Sequence, residues 1–379
     1  MSETRSSKPR VAILFGGQSG EHQVSCATAA SVLASIDRDR YDIIPIGITR
    51  DGQWVRVPSD PTLYEMRDGQ GAVIEAGNKT VSLWAGTGNL VERVTGKRTI
   101  EAEPLEVGDL GNIDVLFPLL HGPFGEDGTI QGLLDSYGVK YVGCGVASSA
   151  VCMDKHLTKT VLFAAGIPVG RWTVISDHLW TSDRSRALAQ AADVGPDLYV
   201  KPTRAGSSLG ITHVTDHDLL EDAIEYARKY DPRVIIERAV SGREIECGVL
   251  DFGPENGARA SVCGEITVTG TGFYDYKTKY QSHDAVTLTC PARIPSELQE
   301  RIQGIAVDAF YALACEGLAR IDFFYDETTD TLTLNEVNTL PGFTPWSMYP
   351  AMWEASGKSY GELITHLIEL ALNRRAGLR

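Results

Sequence analysis

Apolar residues in this chain gather in short runs, separated by glycine-rich or charged stretches. RVAILFGG at 10–17 predicts a buried strand entering a glycine turn, and a helix-compatible stretch follows at 24–36. YDIIPIGIT is a second strand, and this β-loop-α-β order begins a doubly wound α/β unit. Residues 50–112 are turn-rich with weak periodicity and predict a strand or two plus connections. DVLFPLLHG at 114–122 is another buried strand, and a helix at 129–137 and a short strand KYVG close a first domain at 145. A helix is expected at 154–165. Then come strand RWTVI, helix 182–193, strand LYVKP, strand GITHV, helix 216–229 and strand VIIERAV. The remainder alternates long strands with helices at 296–314, 347–355 and 359–373. The expected fold is thus α/β and α+β in three domains, 1–145, 146–233 and 234–379.

Composition narrows this picture only where it excludes something. A chain of 379 residues exceeds one ordinary core, in line with two or three domains. The formal net charge of −15 argues against nucleic acid or an anionic membrane as partner, although a local basic pocket for a small phosphorylated ligand stays open. The 7 cysteines form no CxxC pair, which argues against zinc. Residues 1–10 lack the apolar core of a secretion signal, and no apolar run reaches the roughly 18 residues of a membrane span. A cytoplasmic location is the expectation.

The most informative stretch is 319–342, ARIDFFYD, a turn, then TLTLNEVNTLPG. Strand periodicity places Arg320 with Asp322, and Glu336 with Asn338. A hairpin sets those pairs side by side, and two carboxylates with an amide oxygen suit Mg²⁺. The same pattern also fits an exposed hairpin with solvated acids.

Other stretches carry weaker signals. FGGQSGEHQVS at 15–25 is a strand, glycine turn and helix start with Glu21 at the helix end, but it is not GxGxxG. His121 follows a buried strand in LLHGPFGEDGTIQG, where open α/β sheets bind ligands. LYVKPTRAGSSLGIT resembles a flap over phosphates, with Lys201 at a strand end; it is not a Walker loop. Lys155 is a second candidate cation. In VIIERAVSGREIEC, the backbone at Glu237, Arg238, Ala239 and Val240 suits an adenine edge, and Glu244 a ribose hydroxyl. GTGFYDYKTKYQSHDA at 270–285 has the length and aromatic content of a lid loop.

Together these motifs resemble the ATP-grasp ligases, and most closely the D-alanine–D-alanine ligase family. The likeness spans about residues 10–373, with GGQSGEHQVS, LHGPFGEDGTIQG, MDKHLTK, VKPTRAGSSLGI, FYDYKTKY, ARIDFF and NEVNTLPGFTPWSM in the family's order. It implies an N-terminal Rossmann-like domain followed by an ATP-grasp fold of two α+β subdomains. It implies ligation of two D-alanines through a D-alanyl phosphate, for peptidoglycan precursor synthesis, with D-serine or D-lactate as alternative acceptors. By resemblance, Asp322, Glu336 and Asn338 hold two Mg²⁺ or Mn²⁺ ions. Lys155, Lys201, Ser207, Ser208, Glu237, Arg238, Ala239, Val240, Glu244, Lys279, Asn335 and Glu336 meet ATP. Glu21, His121, Arg320, Gly342 and Ser347 meet the amino-acid substrates. Arg320 steadies the reacting carbonyl, and Glu21, Ser207 and Tyr280 latch the lid. Tyr280 favours an amine acceptor, and a homodimer is implied as the assembly.

Overall fold

A computed structural model describes residues 8–67, 69–77, 79–84, 88–94, 107–206, 209–268 and 286–374 of the chain. The first sheet contains β1 (Arg10–Gly16), β2 (Asp42–Ile48) and β3 (Trp54–Arg56). A separate antiparallel sheet of β4 (Lys79–Leu83), β5 (Asn89–Val94) and β6 (Val107–Asn112) intervenes before β7 (Val115–Pro118) completes the first. The order is β3-β2-β1-β7, with β1 parallel to β2 and β7. Beyond Arg10, β1 is apolar because both its faces are covered. Val11, Ile13 and Phe15 enter one core cluster, Ala12 and Leu14 another. Residues 50–112 therefore hold more strand than their weak periodicity suggests. The strand expected from KYVG is reduced to a single bridge between Leu116 and Tyr141. Helices α1 (His22–Ser35) and α2 (Thr129–Ser136) follow the loops at the C-terminal ends of β1 and β7.

Helices α3 (Val146–Met153) and α4 (Lys155–Ala164) lead to the central sheet. It comprises β8 (Trp172–Ile175), β9 (Leu198–Pro202), β10 (Thr212–Val214) and β11 (Val234–Arg238), in the order β10-β9-β11-β8. Three helices cover one face: α5 (Asp177–Ser182), α6 (Arg184–Ala192) and α7 (Leu220–Arg228). The helix expected at 182–193 is α6; the short α5 precedes it, and the two are separated because Asp183 leaves helical geometry and caps α6 by accepting from Arg186 N–H. The expected boundary at 233/234 cuts this sheet. β11 pairs with both β8 and β9, so the central unit runs through Arg238.

The last unit is an antiparallel sheet of β12 (Arg243–Asp251), β13 (Ala258–Val268), β14 (Val286–Thr289), β15 (Leu318–Asp326) and β16 (Thr331–Asn338), ordered β14-β13-β12-β15-β16. α8 (Ser296–Ala312) packs on one face. α9 (Met348–Ala355) and α10 (Tyr360–Leu372) join the core of the first sheet, so the two ends of the chain share one apolar cluster.

One irregularity positions everything that follows. Phe323 pairs with Leu334, but Asp322 pairs with Glu336, so Asn335 is an extra residue on β16. Strict alternation would put Glu336 on the same side as Leu334, in the core. The bulge turns Glu336 and Asn338 to the opposite face, alongside Asp322 and Arg320. Leu334 N–H meanwhile donates to Pro168 O at 2.8 Å, tying the bulge to the start of the central unit.

Candidate active site

The face exposed by this bulge is a charged lattice. Across neighbouring strands Glu246, Asp322 and Glu336 stand in one rung, and Arg320 pairs with Asn338 in the next. Arg320 Nε donates to Asp322 Oδ1 at 2.8 Å and Nη2 to Oδ2 at 2.7 Å. Asn338 Nδ2 also donates to Oδ2, at 2.8 Å. Glu246, 1% exposed, places Oε1 3.1 Å from Arg320 Nε. Sequence reasoning passed over Glu246, though GREIEC contains the signal: Glu244 and Glu246 alternate with the apolar Ile245 and Cys247. Among the described residues no group of three or more His, Cys, Asp and Glu gathers as a metal cage. The donor set is two carboxylates and an amide, all oxygen donors. That fits a hard cation that takes its remaining ligands from water and phosphate.

A second cluster lies on the central sheet. Lys201 Nζ is 2.5 Å from Glu237 Oε2, and Lys159 Nζ is 2.9 Å from Glu237 Oε1. Burial pushes the Glu237 carboxyl up, but the two ammonium groups outweigh it and hold the carboxyl far below its usual range. Glu237 is thus a buried counter-ion rather than a side chain free to meet a base. Lys159, 4% exposed, was not singled out from sequence. Its spacing of four residues from Lys155 on α4 was the available sign, since i and i+4 share a helix face. Lys155 Nζ donates to Ala205 O at 2.9 Å, at the base of the flap. Burial opposes charge on Lys201, but Glu237 overcomes it and raises the ammonium's pKa; Glu336 adds to the effect, which places the carboxylate face within electrostatic reach.

The flap base is fastened by Asp231. Its carboxylate accepts from Thr203 Oγ1, Arg204 N–H and Arg204 Nε through one oxygen, and from Arg204 Nη2 and Arg233 N–H through the other. At the strand end, Arg238 N–H donates to Arg171 O and Ala239 N–H to Asp197 O, each at 2.9 Å. Two of the N–H groups expected to face a base are therefore committed within the protein. Val240 N–H and the carbonyls are what the segment can still offer. Ser207, Ser208, Lys279 and Tyr280 lie outside the described residues.

The first domain contributes two loops. His121 is buried, 3.2 Å from Thr28 Oγ1 and 3.7 Å from Glu126. Burial opposes charge on its ring, yet the Glu126 hydrogen bond and the charges of Glu21 and Glu126 raise it above its ordinary value. Burial raises Glu126 as well, against the pull of His121, so the pair favours keeping a proton. Glu21 begins α1, and its carboxylate lies against Gly122: a Cβ there would stand 3.0 Å from Oε2. Gly206 of the flap approaches the same glycine. His22, unassigned from sequence, is a strut: its Nδ1 lies 2.7 Å from Gly17 O, and Nε2 accepts Ile74 N–H at 3.0 Å. Beyond β16, Ser347 caps α9, and its hydroxyl accepts Thr344 N–H at 3.1 Å. Gly342 lies directly beside it.

Comparison with known proteins agrees across the whole length. A family model described as D-ala D-ala ligase N-terminus matches residues 10–144, and one described as D-ala D-ala ligase C-terminus matches 161–369. The chain is 49% identical to a D-alanine--D-alanine ligase of Pseudarthrobacter chlorophenolicus, covering 98% of this chain and 96% of that protein. It is 46% identical to one of Kineococcus radiotolerans, covering 98% and 99%. Among solved structures, the VanG D-Ala:D-Ser ligase of Enterococcus faecalis has a TM-score of 0.80 at 34% identity, covering 96% of this chain and 100% of that one. The D-alanine-D-alanine ligase of Coxiella burnetii has a TM-score of 0.77 at 34% identity, covering 98% and 95%.

Proposed function

This chain belongs to the D-alanine–D-alanine ligase family, and from that premise we propose that it joins two D-alanines with ATP, making D-alanyl-D-alanine for peptidoglycan precursor synthesis. The observation that carries the reading is a pair of buried charge clusters, Lys159 and Lys201 on Glu237 in the central sheet and Arg320 among Glu246, Asp322 and Glu336 in the last.

A carboxylate is a poor acyl donor. In the first step a carboxylate oxygen of one D-alanine attacks the γ-phosphorus; the bond to the β,γ-bridging oxygen breaks and ADP leaves with its electron pair. The second D-alanine's neutral amine then attacks the acyl carbon, inorganic phosphate departs, and the amine loses a proton. Lys155 and Lys201 neutralise phosphate charge, with Glu237 anchoring Lys201. Val240 N–H and neighbouring carbonyls take the adenine edge, and Glu244 the ribose. Asp322, Glu336 and Asn338 would hold Mg²⁺ or Mn²⁺, two ions on the family pattern, which neutralise the phosphates when bound. Arg320 faces the reacting carbonyl. Glu21 takes the first amine beside His121, and Gly342 with Ser347 takes the second substrate at the start of α9. The roles inferred for Ser207, Ser208, Asn335, Lys279 and Tyr280 rest on the resemblance. We infer also a cytoplasmic homodimer; no helix among the described residues is long and apolar enough to cross a membrane, and all 7 cysteines are unbridged, as suits a reducing compartment.

The deciding experiment is phosphate release from ATP and Mg²⁺ with D-alanine, L-alanine, and D-alanine plus D-serine or D-lactate. Release that depends on D-alanine alone is expected. Independence from D-alanine sinks the reading, while preference for D-serine as acceptor selects the chemistry named for the E. faecalis neighbour. Sedimentation at micromolar concentration tests the dimer.

A further inference from the structure

The rung Glu246–Asp322–Glu336 sets three carboxylates beside one arginine, and Arg320 lies 3.1 Å or less from two of them. The cation site read above needs Asp322 and Glu336, which are on adjacent strands. Glu246 stands on the far side of Asp322, roughly 10 Å from Glu336 by strand spacing. Among the described residues it does not gather with Asp322 and Glu336 into a metal-holding group of three, yet it is almost wholly buried. A carboxylate kept there needs a partner, and its partner is Arg320.

The geometry of Arg320 gives that contact a purpose. Both oxygens of Asp322 are occupied by Nε and Nη2 of the guanidinium. Each carboxylate oxygen has two acceptor sites, and Oδ2 already accepts from both Arg320 Nη2 and Asn338 Nδ2, so a divalent cation reaches Asp322 most readily at Oδ1, in competition with Nε–H. The Nε group, however, lies between two acceptors, 2.8 Å from Asp322 Oδ1 and 3.1 Å from Glu246 Oε1. A small rotation passes Nε–H entirely to Glu246. Oδ1 of Asp322 is then released to the cation, while Nη2 keeps its contact with Oδ2.

We propose that Glu246 is a positioning residue that retains Arg320 when Asp322 turns to a divalent cation. The inference rests on the metal reading of Asp322 and Glu336. Without Glu246, the Asp322 carboxylate still holds Arg320 through Nε and Nη2, and the cation must compete with that contact directly.

The test is Mn²⁺ binding to the full chain with ADP, read from the electron paramagnetic resonance of free Mn²⁺, in variants confirmed folded by thermal melts. Glu246→Gln is expected to weaken Mn²⁺ about tenfold, the scale of one lost charge-assisted contact. Because removing any nearby negative charge also weakens the attraction of a cation, the comparison is repeated in an Arg320→Met background. There the Glu246→Gln effect is expected to shrink to about twofold or less. An equal loss in both backgrounds, or none in either, overturns the inference. Asp322→Asn separates the two readings: if it leaves Mn²⁺ binding unchanged, the metal assignment falls; if it weakens binding while Glu246→Gln does not, only the role of Glu246 falls.

Discussion

Two buried charge clusters, one on the central sheet and one on the last, are built with opposite imbalance. On the central sheet, a single carboxylate, Glu237, is held by Lys159 and Lys201. On the last sheet, a single guanidinium, Arg320, serves Glu246 and Asp322 with Glu336 in the same rung. Taking a charge out of water costs several kcal/mol, so each surplus needs a partner to arrive. On the function proposed above, an anion completes the lysine cluster and cations complete the carboxylate cluster. A nucleotide triphosphate carrying divalent ions brings both, and neither wall alone implies it.

The contrast breaks most visibly at Glu336. Glu336→Gln should reduce kcat roughly 10²–10³-fold and shift the Mg²⁺ requirement upward, measured by phosphate release at varied Mg²⁺. Surviving activity with unaltered Mg²⁺ dependence would show that the carboxylate wall does not bind the metal.

The lysine wall should fail differently. Lys159 is almost wholly buried against Glu237, so Lys159→Met should appear first as lost stability, about 3 kcal/mol in urea unfolding, because a buried carboxylate loses one of two partners. A large rise in KM for ATP at unchanged stability would instead make Lys159 a phosphate contact.

Asp231 sharpens the comparison at the flap base. Burial pushes its carboxyl up, but Arg204, the Arg233 N–H and Thr203 outweigh this and hold it below its usual range. Its folded value lies below the unfolded value of about 3.9, so its contribution is complete above that pH and is lost as pH falls through the folded value. Asp231→Asn should cost about 2 kcal/mol at pH 7, with the gap to the parent constant down to about pH 5 and closing below pH 4. A gap that widens on acidification would refute the assignment.

The smallest effect is expected at Glu244, on the carboxylate face but half-buried and away from the Arg320 contacts. Glu244→Gln should raise KM for ATP about fivefold, near 1 kcal/mol, and leave kcat and Mg²⁺ dependence unchanged. A Mg²⁺ shift as large as that of Glu336→Gln would mean that charge anywhere on this face governs metal binding.

Much of this was legible along the chain, for identifiable reasons. β1 and β7 are buried on both sides and carry unbroken apolar runs, while β15 and β16 frame a polar turn. The residues gathered at the site come largely from strand ends and glycine loops whose chemistry is written in their types. The three-stranded sheet within 79–112 was harder to see, because among the described side chains its short strands bury Val81, Leu90 and Val91 and little else. Lys159 and Glu246 escaped because each looks like an ordinary charge until its partner, from another element, is placed beside it.

The sequence by itself determined which groups are present: the lysines, the acid–arginine–amide set, and the order of strands that carries them. It could not determine which way Glu336 faces. Simple alternation from Leu332 and Leu334 directs it into the core, and only the bulge at Asn335, locked by Leu334 to Pro168, turns it toward Asp322. The physical reason is that periodicity is a local property, while register is set by what the strand meets. The same holds for Arg320, whose sharing between Asp322 and Glu246 arises from the pairing of β12 with β15.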